Sequence, residues 1–318
     1  MKVYVIADFL SEINKTDIRK TCAECGFEAA FYDSVSEADG RVSDGNIIYC
    51  TNERLLPQMK ELKWVHSSNA GVEPFIRTGL FGGGKILLTN SSGAYGLAIS
   101  EHIIMVTLML MRRMPEYLDS AARHEWHEHL AIRSIAGSNI AIVGTGNLGR
   151  TAAEKFRALG AASITGFNRS GRSCDAFDRV YRFEEFADRI AGTDLIVICV
   201  PGTPETVKLM DAEKIAAIPD KAYFINVGRG STVDQDALIN ALNENRLAGA
   251  ALDVMEPEPL PQDHPLWTAK NIIITPHCSG DMGLEYTIDR TVEFFIDNLK
   301  RYSKGEKLIN LVDISAGY

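Results

Sequence analysis

The sequence predicts an α/β fold built on parallel sheets, and three observations carry that prediction. Short apolar runs alternate with helical patterns along almost the whole chain, the order that gives parallel strands with helices packed over them. One run, Asn139-Ile-Ala-Ile-Val143, passes directly into Gly144-Thr-Gly146-Asn147-Leu148-Gly149. A helical pattern opens at once, with Ala152, Phe156 and Leu159 at i, i+4 and i+7. Strand, glycine turn and helix in this order suit a dinucleotide. The first glycine permits the tight turn, the second lets backbone approach the pyrophosphate, and the third brings helix against strand. Free N–H groups and partial positive charge at the helix start then face the phosphates. A GxGxxG pattern is weak alone and specific in this setting.

Length and charge narrow the rest. A chain of 318 residues allows about two domains. A net charge of −9 and a pI near 5.4 imply no basic face for a nucleic acid. Lys and Arg are scattered, so no membrane-binding patch is expected. The apolar part of the N-terminal stretch, within Met1–Asp8, is too short for a signal peptide. The run Ile103–Met111 falls short of the roughly 20 residues a membrane span needs, and Glu101, His102, Arg112 and Arg113 flank it. A buried helix is expected there. The six cysteines are too scattered for a disulfide scaffold, and Cys22-Ala-Glu-Cys25 has no second pair to complete a metal or redox motif. The expectation is a cytoplasmic chain without a metal.

Taken in order, 2–7 predicts a buried strand and 17–25 a helix ended by Gly26. Residues 46–50 predict a strand, 57–62 a short helix, 67–72 a loop and 86–89 a further strand. The apolar helix follows around 98–114, then a polar stretch, then the nucleotide motif. Beyond it, 163–167, 194–200, 222–227, 249–254 and 272–275 predict strands. Helices are expected over 205–218, 234–243 and 285–302.

In open α/β sheets, ligands bind beyond the carboxyl ends of the strands. Three such ends carry reactive side chains: Gly228-Arg229-Gly230, Glu256-Pro-Glu258-Pro, and Pro276-His277. An Arg offers a planar fork suited to a carboxylate. A His gives and takes a proton near neutral pH, and an adjacent Glu would hold one tautomer. On chemistry alone, Glu256 and Glu258 compete for that place. His124-Glu-Trp-His-Glu-His129 has a metal-like look, but HExxH needs His at 128, where Glu stands.

These stretches also carry a resemblance. Asn226-Val-Gly-Arg-Gly-Ser-Thr-Val-Asp234, Ala250-Ala-Leu-Asp-Val-Met-Glu-Pro-Glu-Pro-Leu260 and Thr275-Pro-His277 resemble the signatures of the D-2-hydroxyacid dehydrogenases. The likeness covers essentially the whole chain. Lys63-Trp-Val-His-Ser-Ser-Asn-Ala-Gly-Val72 and Ser92-Gly-Ala-Tyr-Gly-Leu-Ala-Ile-Ser-Glu-His102 are most similar to the glyoxylate/hydroxypyruvate reductase-type members. The resemblance implies a Rossmann cofactor domain over 94–282 and a flavodoxin-like substrate domain over 1–93 with 283–318. It implies reduction of a small 2-keto acid to the D-2-hydroxy acid with NAD(P)H. Arg229 would hold the substrate carboxylate and carbonyl, and His277 would transfer the proton. The family spacing from Asp253 gives Glu258 as the histidine's partner. Asp253 would meet the nicotinamide carboxamide, and Asn69, Ala70, Gly71 and Val72 the substrate carboxylate. Gly144, Gly146, Asn147, Leu148 and Gly149 would hold the pyrophosphate. Val200, Pro201 and Thr206 would line the adenosine side, with Val227, Gly228, Ser279 and Gly280 completing the cofactor's surroundings. The helix at 98–114 is apolar on more than one face, and the family dimerises there, so a homodimer is expected. The alternatives are a D-lactate or phosphoglycerate type dehydrogenase and a dinucleotide-sensing corepressor.

One departure concerns the cofactor. NAD-type members place an acid about 20 residues beyond the glycines, for the ribose 2′-hydroxyl. Here Asn168-Arg169-Ser170-Gly171-Arg172 stands there. Arg169, Arg172 and the Ser170 hydroxyl could grip a 2′-phosphate instead, which predicts a preference for NADP(H) over NAD(H).

Overall fold

A computed structural model describes residues 1–317. The chain divides into two compact units, Met1–Tyr95 with the chain from Met282 onward, and Gly96–Asp281.

The first unit begins with β1 (Lys2–Ile6), α1 (Glu12–Glu24), β2 (Glu28–Tyr32), α2 (Val35–Ala38), β3 (Ile47–Cys50), β4 (Trp64–Ser67), α3 (Glu73–Arg77) and β5 (Leu87–Thr89). All strand pairs are parallel, in the order β2-β1-β3-β4-β5, the flavodoxin-like arrangement. Every residue of β3 and β4 is buried, as expected of parallel strands covered on both faces. Two elements depart from the sequence pattern. Helix α1 starts five residues before Asp17, because Ser11 accepts the Asn14 N–H while Asn14 Oδ1 accepts the Ser11 N–H. That is a capping box with Asn in the place Glu or Gln more often takes. Strand β2 was not expected: at the sheet edge, Glu28 is exposed and the four apolar residues Ala29-Ala-Phe-Tyr32 are only half-buried. The short helix expected at 57–62 is a single 3₁₀ turn, Leu56–Gln58.

The second unit contains α4 (Gly96–Met111), α5 (Met114–Ala122), β6 (Asn139–Val143), α6 (Asn147–Ala158), β7 (Ser163–Asn168), β8 (Arg179–Arg182), α7 (Phe186–Arg189), β9 (Leu195–Ile198), α8 (Ala212–Ala217), β10 (Tyr223–Asn226), α9 (Gln235–Asn243), β11 (Gly249–Leu252) and β12 (Ile272–Ile274). Its sheet is parallel throughout, in the order β12-β11-β10-β9-β6-β7-β8. The winding reverses between β6 and β9, so the glycine turn after β6 stands at the switch point of a Rossmann fold. Phe156, fully buried on α6, contributes roughly 1.5–3 kcal/mol through its apolar burial. A last helix, α10 (Glu285–Ser303), belongs to the first unit and buries Val292, Phe295 and Leu299.

The helix expected around 98–114 is α4, which ends at Met111, and a second short helix, α5, follows it. Arg113 is left-handed (φ 58°), and Pro115 opens α5. A proline in the interior of a continuous helix would lose a hydrogen bond and clash with the preceding turn, so the chain breaks ahead of it. The helix expected at 205–218 is also divided. A 3₁₀ turn covers Pro204–Thr206, and α8 starts only where the Asp211 carboxylate accepts the Lys214 N–H. Among the described residues no helix is long and apolar enough to cross a membrane.

Candidate active site

The nucleotide corner follows from three glycines. A Cβ at Gly149 would lie 1.9 Å from the Gly144 carbonyl oxygen, so no side chain fits where α6 crosses the turn. Gly144 takes φ +101°, and a Cβ there would meet Cys199 O at 2.7 Å. At Gly146, the N-cap of α6, a Cβ would meet nothing within 4 Å. The turn is therefore closed behind and open in front. Gly146 and Asn147 are exposed and Leu148 half-buried, so a pyrophosphate could meet backbone at the helix start without displacing a side chain. These residues fit a dinucleotide. Val200 lies between the Gly144 turn and Gly228, whose Cβ would approach Val200 O to 2.5 Å. Thr206 Oγ1 donates to Pro201 O (2.7 Å) and accepts the Thr203 N–H (2.8 Å), which fixes the Val200–Thr206 segment.

At the expected 2′-end, Asn168 is the organiser. Its Nδ2 donates to Thr145 Oγ1 (2.8 Å) and to Arg172 O (3.1 Å), and its Oδ1 accepts the N–H groups of Ser170 and Gly171. An aspartate could accept but not donate, so the amide is what closes this loop. Arg169 and Ser170 are exposed and Arg172 is exposed beside them. Hydrogen bonds from its own backbone and from Thr203, then the charge of Arg169, hold the Glu205 carboxyl below its ordinary range.

The second candidate corner, with Arg229, Glu258 and His277, lies at the carboxyl ends of three adjacent strands. Asn226 closes β10: its Oδ1 accepts the Gly228 N–H (3.0 Å) and its Nδ2 donates to Arg229 O (2.9 Å). Val227 is buried beside it. The half-buried Arg229 donates from one guanidinium nitrogen to Gly228 O at 2.8 Å. A Cβ at Gly230 would fall 2.0 Å from the Met255 carbonyl, so only glycine lets the Arg229 turn lie against the segment after β11. The N–H of Met255 in turn donates to Glu258 Oε1 (2.9 Å), while Glu258 Oε2 is 2.8 Å from His277 Nδ1. Glu256 is engaged elsewhere, exchanging two backbone bonds with the Gln235 amide.

His277 is the one residue of this corner in left-handed backbone (φ 54°), a conformation that costs a non-glycine residue about 1–2 kcal/mol. Such a conformation persists only where the surroundings impose it. The His277 N–H is shared between Asp253 O (2.8 Å) and Thr275 O (3.0 Å). The buried Asp253 carboxylate accepts the Thr275 hydroxyl (2.7 Å) and the Cys278 N–H (3.0 Å) on Oδ1, and the Ser279 N–H (3.1 Å) on Oδ2. Burial pushes this carboxyl up, but the hydrogen bonds from Ser279, Thr275 and Cys278 outweigh burial and hold it below the usual carboxylate range. Ser279 is thus occupied with Asp253, with half-buried Gly280 following it.

In the first unit, the 67–72 loop has its own polar scaffold. Asn69 donates its N–H to Ser67 Oγ (3.1 Å) and its Nδ2 to Thr51 O (3.0 Å). Asn90 Nδ2 donates to Ala70 O, and Tyr95 Oη to Ser68 O. Behind them His66 is fully buried: Nδ1 is 2.7 Å from Thr89 Oγ1 and Nε2 3.3 Å from Ser91 Oγ, whose hydroxyl donates to Ser67 O. Burial lowers the His66 pKa to about 3. Gly71 is half-buried, and Val72 is buried and caps α3.

Sequence reasoning gave no role to Asn226, Met255, Thr275, His66 or His102. Asn226, His66 and His102 are polar groups set in strands or a helix and Thr275 directly follows an apolar strand, and such a placement was the available signal. Met255 acts through its backbone, which a sequence cannot show. The His124–His129 segment has no regular structure; His127 Nδ1 lies 3.4 Å from Ser120 Oγ and Trp126 is 90% exposed.

Comparisons with known proteins point to one family. Residues 104–279 match the sequence model of the D-isomer specific 2-hydroxyacid dehydrogenase NAD-binding domain. A solved D-isomer specific 2-hydroxyacid dehydrogenase family protein from Aeromonas salmonicida is 30% identical, with a TM-score of 0.85 over 98% of this chain and 99% of that one. An NADPH-dependent glyoxylate/hydroxypyruvate reductase from Sinorhizobium meliloti, solved with NADP and sulfate, is 26% identical (TM-score 0.81, 100% and 99% covered). Glyoxylate/hydroxypyruvate reductase A of Photorhabdus laumondii is 26% identical over 88% of this chain and 89% of its own. A family match spanning more than half the chain, on a Rossmann sheet whose strand ends carry this Arg, Glu and His, identifies the protein as a member of the D-isomer specific 2-hydroxyacid dehydrogenases, which are NAD(P)-dependent.

Proposed function

We propose that the protein reduces a small 2-keto acid of the glyoxylate or hydroxypyruvate kind to its D-2-hydroxy acid, with His277 as the proton donor. The observation that carries this reading is the 2.8 Å contact between Glu258 Oε2 and His277 Nδ1 beside the Arg229 turn. With Nδ1–H given to the carboxylate, Nε2 is the atom left to hand a proton to the oxygen of the reacting carbonyl. Arg229 binds the substrate carboxylate with its fork and polarises the neighbouring carbonyl. When bound, the nicotinamide supplies the hydride to the carbonyl carbon. Glu258 keeps the imidazole oriented throughout and balances the charge of its protonated form. The 70–72 turn is a candidate carboxylate binder through its backbone N–H groups, since that of Asn69 is engaged by Ser67.

The Asn168–Arg172 loop favours NADPH, with Arg169 as the main contact to the 2′-phosphate. Support comes from the amide at 168, which builds the loop without the acid that would repel that phosphate. A second copy of the chain is proposed on the outer faces of α4 and α5. Met105 and Leu108 are exposed there and line an open groove with Met109, Tyr117 and Ile132, Leu118 is exposed on α5, and apolar groups gathered on one face mark association sites. The setting is proposed to be the cytoplasm. Turnover over a panel of keto acids, followed at the NADPH absorbance, tests the reading; no turnover with glyoxylate, hydroxypyruvate or larger 2-keto acids would rule it out.

A further inference from the structure

Helix α4 carries one imidazole, His102, just ahead of its apolar run, and that imidazole meets the sheet close to the catalytic corner. His102 Nε2 lies 3.3 Å from Thr275 Oγ1. Thr275 Oγ1 is also 2.7 Å from Asp253 Oδ1. A carboxylate can only accept, so the threonine proton goes to Asp253, and the ring nitrogen must therefore donate to Thr275. The chain of donors is fixed: His102 Nε2–H to Thr275 Oγ–H to Asp253 Oδ1. Burial, partly offset by the Asp253 charge, keeps His102 below the usual imidazole range.

Asp253 spends its acceptors inside one short turn. It takes the N–H groups of Cys278 and Ser279 and hydrogen bonds from the Thr275 and Ser279 side chains. Its own carbonyl receives the N–H of His277, the residue of that turn in left-handed backbone. A carboxylate has about four acceptor sites, and the turn uses them all. The conformation that aims His277 thus depends on how the Asp253 carboxylate is oriented. Thr275, one of those donors, is itself held from outside the turn by His102.

We infer that His102 is a positioning residue: through Thr275 it fixes the carboxylate that clamps the 275–279 turn, and so holds His277 in register with Glu258. This inference rests on His277 being the proton donor. It gives α4 a part in the chemistry that no substrate or cofactor contact supplies.

A double-mutant cycle tests it. His102→Leu removes the donor and Thr275→Val removes the hydroxyl at nearly constant shape. Each is expected to lower kcat, read at saturating NADPH, by about tenfold, which is about 1.4 kcal/mol, while the keto-acid KM stays within about twofold. The double variant should lose no more than either single, because both interrupt one chain. His102→Gln keeps an N–H donor and should recover most of the rate. The solvent deuterium isotope effect on kcat should rise in both single variants as proton transfer becomes slower. Thr275→Val serves alone if His102→Leu does not fold. Unchanged kcat in the folded variants, or losses that multiply in the double variant, would overturn the inference. His277→Asn is measured in parallel. A large loss there with unchanged His102→Leu and Thr275→Val overturns the positioning role alone, whereas near-normal His277→Asn overturns the proton-donor reading with it.

Discussion

Glu258 holds His277 with one oxygen and its own loop with the other: Oε2 is 2.8 Å from His277 Nδ1, and Oε1 accepts the N–H of Met255 at 2.9 Å. The carboxylate is therefore fixed before it orients the imidazole. Glu258→Gln keeps the shape and an oxygen acceptor but removes the charge. We expect kcat to fall about 10–100-fold, at the lower end of what positioned acid–base groups contribute, with KM little changed. Steady-state kinetics with saturating cofactor check this. A variant with wild-type kcat would remove Glu258 from the proton path.

Cofactor choice is expected to follow the Asn168–Arg172 loop. Arg169→Ala should lower the ratio of kcat/KM for NADPH over NADH by roughly 10–100-fold, the worth of a charge-assisted hydrogen bond. Asn168→Asp should lower it as well, since it adds a negative charge and loses the two donor bonds to Thr145 and Arg172. A wild type that prefers NADH, or a ratio untouched by Arg169→Ala, would contradict this use of the loop.

Stability should fall with acid because of His66. Burial holds its pKa at about 3 in the folded chain, against 6.5 for a free imidazole. Above pH 6.5 the ring is neutral in both states and contributes no pH dependence. Below it, the unfolded chain takes up a proton that the folded chain refuses, so stability is lost as pH falls from 6.5 toward 3. At pH 5 the loss is about 2 kcal/mol. The fall in urea midpoint between pH 7 and pH 5 should be smaller in His66→Gln than in wild type. Equal falls would show that His66 does not titrate in this way.

The exposed apolar face of α4 and α5 should bury itself against a second copy. Sedimentation velocity at micromolar concentration is expected to give a dimer, and Met105→Glu with Leu108→Glu should yield a monomer. A monomeric wild type would contradict the assignment.

Much of the second unit was legible in the sequence because steric need and residue type coincide there. Gly149 cannot carry a Cβ 1.9 Å from Gly144 O, and Gly230 cannot carry one 2.0 Å from Met255, so these positions announce themselves as glycine. Edge strands β2 and β8 were not legible. Their side chains are part-buried or exposed: β8 is the short Arg179-Val-Tyr-Arg182, and β2 has only the four apolar residues Ala29–Tyr32. The choice of Glu258 over Glu256 needed the family spacing. Both are carboxylates in one loop, and the partner of each is set by backbone contacts, Met255 for one and Gln235 for the other. The His102–Thr275–Asp253 chain joins residues up to 173 positions apart, and no local pattern could have shown it.

The central claim is that His277 donates the proton in reduction of a 2-keto acid by NADPH. The most direct test compares wild type and His277→Asn for NADPH consumption with glyoxylate and hydroxypyruvate, alongside cofactor affinity by fluorescence. Wild-type turnover to the D-hydroxy acid, a loss of about 10²–10⁴-fold in kcat for the variant, and unchanged cofactor binding are the predicted results. Near-normal turnover in His277→Asn, or none with either acid in the wild type, would contradict the account.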